Sequence, residues 1–330
     1  MTDMNDVTAT QNGALSAFRV QAEAVEQEVG KVVFGQERAV RLMLTCLMAG
    51  GHALLEGVPG TAKTLLARSM SSALDARFKR IQFTPDLMPS DIVGTHIFDP
   101  QTQDFRMRRG PVFTDILLAD EINRTPPKTQ AALLEVMEER KATVDGERIP
   151  VSPIFTVFAT QNPLEFEGTY PLPEAQLDRF MMKIVVPYLP AEQEVDVLRR
   201  YSAGRSAHEQ SEGEIRAVFD VEALSSSTAL LGQVHVEESV LAYVQQILAA
   251  TRASAQLLLG AGTRAGLHLL VAARAWALLA GRDFVTPDDI KELVVPVLAH
   301  RLILHADAQV DGVGEGDVLT GLLSRTPVPK

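Results

Sequence analysis

The chain has 330 residues, a formal charge of −11, and a composition that is 46% hydrophobic and 22% charged. That length suggests about two domains of ordinary size. The balance excludes a disordered chain, and it excludes a general nucleic-acid coat, which needs a basic face to neutralise phosphates.

Cys46 is the only cysteine, so no internal disulfide can form, and the seven histidines are scattered rather than grouped as metal ligands. The opening MTDMNDVTATQNG has neither the basic start nor the apolar core of a secretory signal, so a cytoplasmic protein is expected. Residues 267–279, the most apolar segment, are interrupted by His268 and Arg274 and fall short of the roughly 20 residues that span a bilayer, so no membrane partner is expected.

In chain order, residues 1–13 are polar and unpatterned and are expected to form a mobile tail. Leu15, Phe18, Ala22 and Val25 then recur at helical spacing, which predicts an amphipathic helix ending near Gly30. Val32-Val33-Phe34-Gly35-Gln36 is a short apolar connection before a second helix that starts at Glu37 and stops at Gly50-Gly51. Gly35 and Gln36 are placed to lie along an adenine ring, and the segment reads equally well as plain packing.

Residues 54–66, LLEGVPGTAKTLL, are the stretch around which the rest is organised. An apolar run breaks at Gly57, turns through Val58-Pro59-Gly60-Thr61-Ala62, and resumes at Lys63-Thr64-Leu65 as a helix. This is the pattern of a phosphate-binding loop: backbone N–H groups point at phosphate oxygens, the helix adds its positive dipole end, Lys63 reaches the β- and γ-phosphates, and the Thr64 hydroxyl sits on Mg²⁺. Ala62 replaces the expected second glycine, and alanine is tolerated there only at negative φ.

Further short apolar runs at 78–83, 116–119, 154–159 and 182–186 join the one at 53–56 and alternate with helical patterns. That alternation predicts a parallel sheet with helices on both faces. Two insertions decorate it: the polar THIFDPQTQDFRMRRGPV within 94–113, and 141–150, whose Asp145-Gly146 is a strong two-residue hairpin turn. Arg106, Arg108 and Arg109 form the best basic patch, which also reads as a solvated hairpin tip. Past Pro187 helices take over, with a polar linker at 201–213 and a helix start at Thr286-Pro287-Asp288-Asp289. The expected division is a tail at 1–13, an α/β core at 14–186 and a helical domain at 187–330.

The run 116–121, ILLADE, delivers two carboxylates at the end of a buried strand, the end where open α/β sheets bind ligands. Asp120 can hold the Mg²⁺ shell and Glu121 can polarise a water, or the pair is simply solvated. Asn162, in Thr160-Gln161-Asn162-Pro163, can orient that water or is a turn residue before proline. Arg179, in PLPEAQLDRF, looks exposed, or pairs with Asp178 or Glu174.

The set EGVPGTAKT, ILLADEINR, FATQNP, PLPEAQLDRF, GAGTRA and FVTPDDI, in this order, resembles the MoxR family of AAA+ ATPases over residues 34–302. The resemblance implies an α/β AAA+ core with a five-stranded parallel sheet of order 5-1-4-3-2, followed by a smaller all-α lid domain. It implies hydrolysis of ATP with Mg²⁺ in a homo-hexameric ring, the nucleotide lying between core and lid. Asn162 matches the first sensor, Arg179 the arginine finger supplied to a neighbour's ATP, and Arg264 the second sensor, although Gly-Thr stands where Ser-Pro is frequent before that arginine. The family's phosphate loop reads Ala-Lys-Thr as often as Gly-Lys-Thr, which accounts for Ala62. The hairpins match insertions that face the axial side of a ring. The implied work is chaperone-like remodelling, maturation or metal-cofactor insertion on a protein partner bearing a von Willebrand factor A domain. Three rival readings remain: a magnesium-chelatase-like motor subunit, a nucleic-acid translocase of the hexameric helicase type using the three arginines, and a nucleotide-gated binding protein with negligible turnover.

Overall fold

Apolar runs too short for helices, closed by glycine, proline or acidic residues, alternate with amphipathic stretches, and a computed structural model shows what they build. It describes residues 3–162, 168–202, 214–219 and 221–329. In chain order the first part reads α1 (Asp3–Gly30), α2 (Glu37–Met48), β1 (Ala53–Glu56), α3 (Lys63–Ala73), β2 (Phe78–Gln82), α4 (Pro89–Val93), β3 (Gly94–Asp99), β4 (Asp104–Arg109), β5 (Ile116–Asp120), α5 (Pro127–Glu139), β6 (Lys141–Val144), β7 (Glu147–Pro150), β8 (Thr156–Gln161), α6 (Glu174–Leu177), β9 (Met182–Val185) and α7 (Ala191–Ser202).

One sheet has the order β2-β5-β8-β1-β9, which is the expected 5-1-4-3-2 read from its other edge. The β2–β5, β5–β8 and β8–β1 pairs are parallel. The central strands β1, β5 and β8 are buried almost throughout, as a sheet covered on both faces requires. Strand β8 runs further toward its carboxyl end than the 154–159 the apolar run suggests, which carries Thr160 into the sheet.

Both insertions are hairpins. Strand β3 pairs with β4, and β6 pairs with β7 across Asp145 (φ 48) and Gly146 (φ 91), the two positive φ values a tight two-residue turn needs. The hairpins are joined side to side: Asp145 Oδ2 meets the His96 ring Nδ1 at 2.8 Å and accepts the His96 backbone N–H at 3.2 Å. Behind them, buried His52 accepts the Val157 N–H on Nδ1 at 3.0 Å, and its Nε2 lies 3.2 Å from the Met137 carbonyl, which ties β8 to the end of α5.

The chain divides into two compact units, residues 25–180 with 184–225, and residues 1–24 with 181–183 and 226–330. This differs from the expected boundary near 187, because α7 belongs with the sheet unit: its Val197 and Leu198 line a cavity there. The expected tail differs too. Helix α1 begins at Asp3, since extending a helix fixes about one residue per hydrogen bond once the patterned stretch has nucleated it. The expected linker at 201–213 lies mostly outside the described residues. Residues 226–330 of the second unit form helices, joined by an antiparallel ladder of Leu257–Leu259 with Ile303–Leu304 and an isolated bridge between His235 and Phe284. Its helix Pro287–Leu298 starts at the expected threonine, with Thr286 and Asp289 forming a capping box and Arg282 clamping the Asp289 carboxylate at 2.7 and 2.6 Å.

Candidate active site

The loop after β1 turns at Gly57, where a Cβ would come within 2.5 Å of the Val186 carbonyl, so only glycine lets the strands approach there. It continues through Gly60 (φ 89) to Ala62, which has φ 62 and ψ 23 and caps α3. This corrects the expectation of negative φ. The backbone takes the left-handed turn that brings α3's first N–H groups to the loop, and alanine carries the steric cost of about 1–2 kcal/mol.

Lys63 Nζ donates to the carbonyls of Gly57 (2.7 Å) and Val58 (2.8 Å), and the Thr61 hydroxyl donates to Val58 O at 3.0 Å. Burial pushes the Lys63 ammonium below the usual lysine range, and the charges of Asp120 and Glu121 pull it part of the way back.

The sheet brings a second group to the same place. A cavity of about 510 Å³ is lined by the loop from Pro59 to Leu65, by Asp120 and Glu121 at the end of β5, and by Thr160, Gln161 and Asn162 at the end of β8. Asp120 Oδ2 accepts from Arg80 Nε (3.0 Å) and Nη2 (2.6 Å), while Oδ1 accepts the Thr160 hydroxyl. Glu121 also has a left-handed backbone (φ 57, ψ 50). Its N–H donates to Thr160 Oγ1 at 2.8 Å, and its Oε2 accepts from Gln82 Nε2 at 2.7 Å and lies 3.2 Å from Arg124 Nε. Thr64 and Asp120 thus present a hydroxyl and a carboxylate at one cavity, a hard oxygen donor set that suits Mg²⁺.

A second cavity of about 540 Å³ lies on the other side of the loop, between Val32, Phe34 and Gln36 and the segment that contains Tyr188 and Leu198. Its apolar walls suit a flat ring. Gly35 has φ 65, and Gln36 is buried with its Nε2 donating to Pro187 O at 2.9 Å.

Pro59 to Leu65 of the phosphate loop, with Asp120, Glu121 and Asn162, therefore line one cavity, while Gly57 and Val58 lie outside its lining as acceptors of Lys63; Gln36 lines the second cavity and Gly35 does not. Both cavities are walled by the sheet unit. Arg179 stands apart, paired with Glu138 (Nε to Oε2, 2.9 Å) rather than with Asp178 or Glu174 as the turn suggested. Arg264 lies in the helical unit, exposed in the first turn of Thr263–Leu279. Sequence reasoning missed Arg80, Gln82, Arg124 and Thr160. The available signals were two polar residues at i and i+2 in FKRIQF and a hydroxyl closing an otherwise apolar run.

Sheet order, phosphate loop and paired strand-end carboxylates define a phosphate-loop ATPase with a helical second unit. The model of the ATPase family associated with various cellular activities matches residues 52–182, and that of the AAA lid domain matches residues 249–321. Chaperone MoxR1 of Mycobacterium tuberculosis is 41% identical over 314 residues, which span 92% of this chain and 81% of that one. The uncharacterized protein YeaC of Bacillus subtilis is 43% identical over 307 residues (93% and 94%). Protein MoxR of Methylorubrum extorquens is 32% identical over 313 residues (88% and 90%). A crystal structure from Cytophaga hutchinsonii, described as that of a candidate ATPase, superposes with a TM-score of 0.89 at 39% identity, covering 98% of this chain and 99% of that one. The chain belongs to the MoxR family of AAA+ ATPases. Among the described residues no helix is long and apolar enough to cross a membrane.

Proposed function

We propose that this ATPase works as a cytoplasmic homo-hexameric ring that hydrolyses ATP to drive chaperone-like remodelling, maturation or metal-cofactor insertion of a protein partner, one bearing a von Willebrand factor A domain. The observation that carries the reading is the single cavity in which Lys63, Thr64, Asp120, Glu121 and Asn162 meet. A relative named as a chaperone supports a protein client.

In this reading the loop N–H groups and Lys63 grip the β- and γ-phosphates, and the base lies in the apolar cavity beside Gly35 and Gln36. Thr64 and Asp120 would hold Mg²⁺, which supplies charge neutralisation between the phosphates when bound. The Glu121 carboxylate accepts a proton from the attacking water, and the Asn162 amide orients that water in line with the bond that breaks to leave ADP. Arg179 acts on a neighbour's ATP, which requires it to leave Glu138. Such a finger is worth on the order of 10³–10⁵ in rate. Arg264 takes the second-sensor role that the family resemblance implies.

The test mixes Arg179→Ala subunits with Glu121→Gln subunits, each nearly inactive alone. Recovery of hydrolysis that rises and falls with the mixing ratio is expected, because mixed interfaces pair an intact glutamate with an intact arginine. A flat zero at every ratio overturns action in trans.

A further inference from the structure

The left-handed backbone of Glu121 needs an anchor, and the sheet does not supply one. The β5–β8 ladder ends at the Ala119–Ala159 pair, so the Glu121 N–H turns out of register. Thr160, 1% exposed in the central strand β8, fills that place with its side chain. Its Oγ1 accepts the Glu121 N–H at 2.8 Å and donates its one proton to Asp120 Oδ1. A hydroxyl has one hydrogen to give and lone pairs to receive, so both bonds form together with only this polarity. Asp120 Oδ2 is held from the other side by Arg80, which leaves Oδ1 to Thr160.

Building on the roles given above to Asp120 and Glu121, we infer that Thr160 is a positioning residue for ATP hydrolysis. Its hydroxyl fixes the metal-holding carboxylate and the water-activating carboxylate relative to each other and keeps Glu121 in its left-handed conformation. Thr160 acts through these two carboxylates and sets where they are aimed.

The experiment compares Thr160→Val, which keeps the shape and loses the hydroxyl, with Thr160→Ser, which keeps the hydroxyl and loses the methyl. Three quantities are read: kcat and KM for ATP, the affinity for Mn²⁺ in the presence of ADP by electron paramagnetic resonance, and the melting temperature. Thr160→Val is expected to lower kcat about tenfold or more while KM stays within about twofold, because it removes two bonds aimed at the reacting centre and none aimed at the loop. Its Mn²⁺ affinity falls about threefold or more, and Thr160→Ser recovers both. A valine variant with kcat and Mn²⁺ affinity within about twofold of the unsubstituted protein overturns the inference, whatever its melting temperature. So does a serine variant as impaired as the valine one. If the valine protein does not fold, Thr160→Ala replaces it with the same expectations. Loss of turnover in the unsubstituted protein would count against the ATPase itself, and the Mn²⁺ measurement would then decide the role of Thr160.

Discussion

The two halves of the candidate site are built on different plans. The phosphate loop is one continuous stretch that holds itself: Lys63 rests on the carbonyls of Gly57 and Val58, and Thr61 closes onto Val58. The carboxylate corner is assembled around β2, β5 and β8, whose contributing residues stand about 40 positions apart, and it is held by side chains from neighbouring strands, Arg80 and Thr160 on Asp120 and Gln82 on Glu121. The loop therefore depends on local backbone chemistry, and the corner depends on sheet register, where a slip of one residue would turn each of these side chains to the opposite face.

Substitutions in the two halves should separate accordingly. Lys63→Ala should have the largest effect, weakening nucleotide binding about a hundredfold or more by removing the charged donor to the phosphates, as titration with a fluorescent nucleotide would read. Normal affinity in that variant would break the comparison at its loop end. Glu121→Gln should lower kcat about a hundredfold or more with affinity kept, the separation of chemistry from binding that the corner predicts. Gln82→Ala should act in the opposite direction and by less. Released from its bond to Gln82 Nε2, the Glu121 carboxylate can turn more freely toward the attacking water, and steady-state turnover should rise about two- to fivefold at constant KM. The smallest effect belongs to Ala62→Gly. Relief of the left-handed alanine, partly offset by the greater chain entropy of glycine, should stabilise the protein by about 0.5 kcal/mol in a denaturant titration.

The same contrast explains what could be read from the amino-acid order. The strands, the two hairpins, the Asp145-Gly146 turn of the second, the Thr286 cap and the loop itself are encoded by neighbours in the chain, and they appear close to where the pattern put them, with β8 displaced two residues toward its carboxyl end. Asp120, Glu121 and Asn162 were legible as polar residues ending apolar strands. The holders of the carboxylates were not, because nothing local to Arg80 or Thr160 points to Asp120 across two strands of the sheet. Long-range packing also decided the side taken by α7 and the partner of Arg179, which turned out to be Glu138 on α5 rather than an acid in its own turn. At Ala62 the steric rule for alanine lost to the needs of the turn.

The bond between His96 and Asp145 has a mechanical consequence. Each insertion alone is a two-stranded cantilever, and a lone ribbon of that kind bends easily. Pinned to one another, the two become a truss whose second leg is rooted through β6 in α5, the helix that starts just beyond Glu121 and is braced to the first leg's root by the bond from Thr129 to the Leu87 carbonyl. Force applied at the exposed Phe98 and Phe105 near the first hairpin's tip is then borne by both legs, and it arrives at the end of the strand that carries the carboxylates.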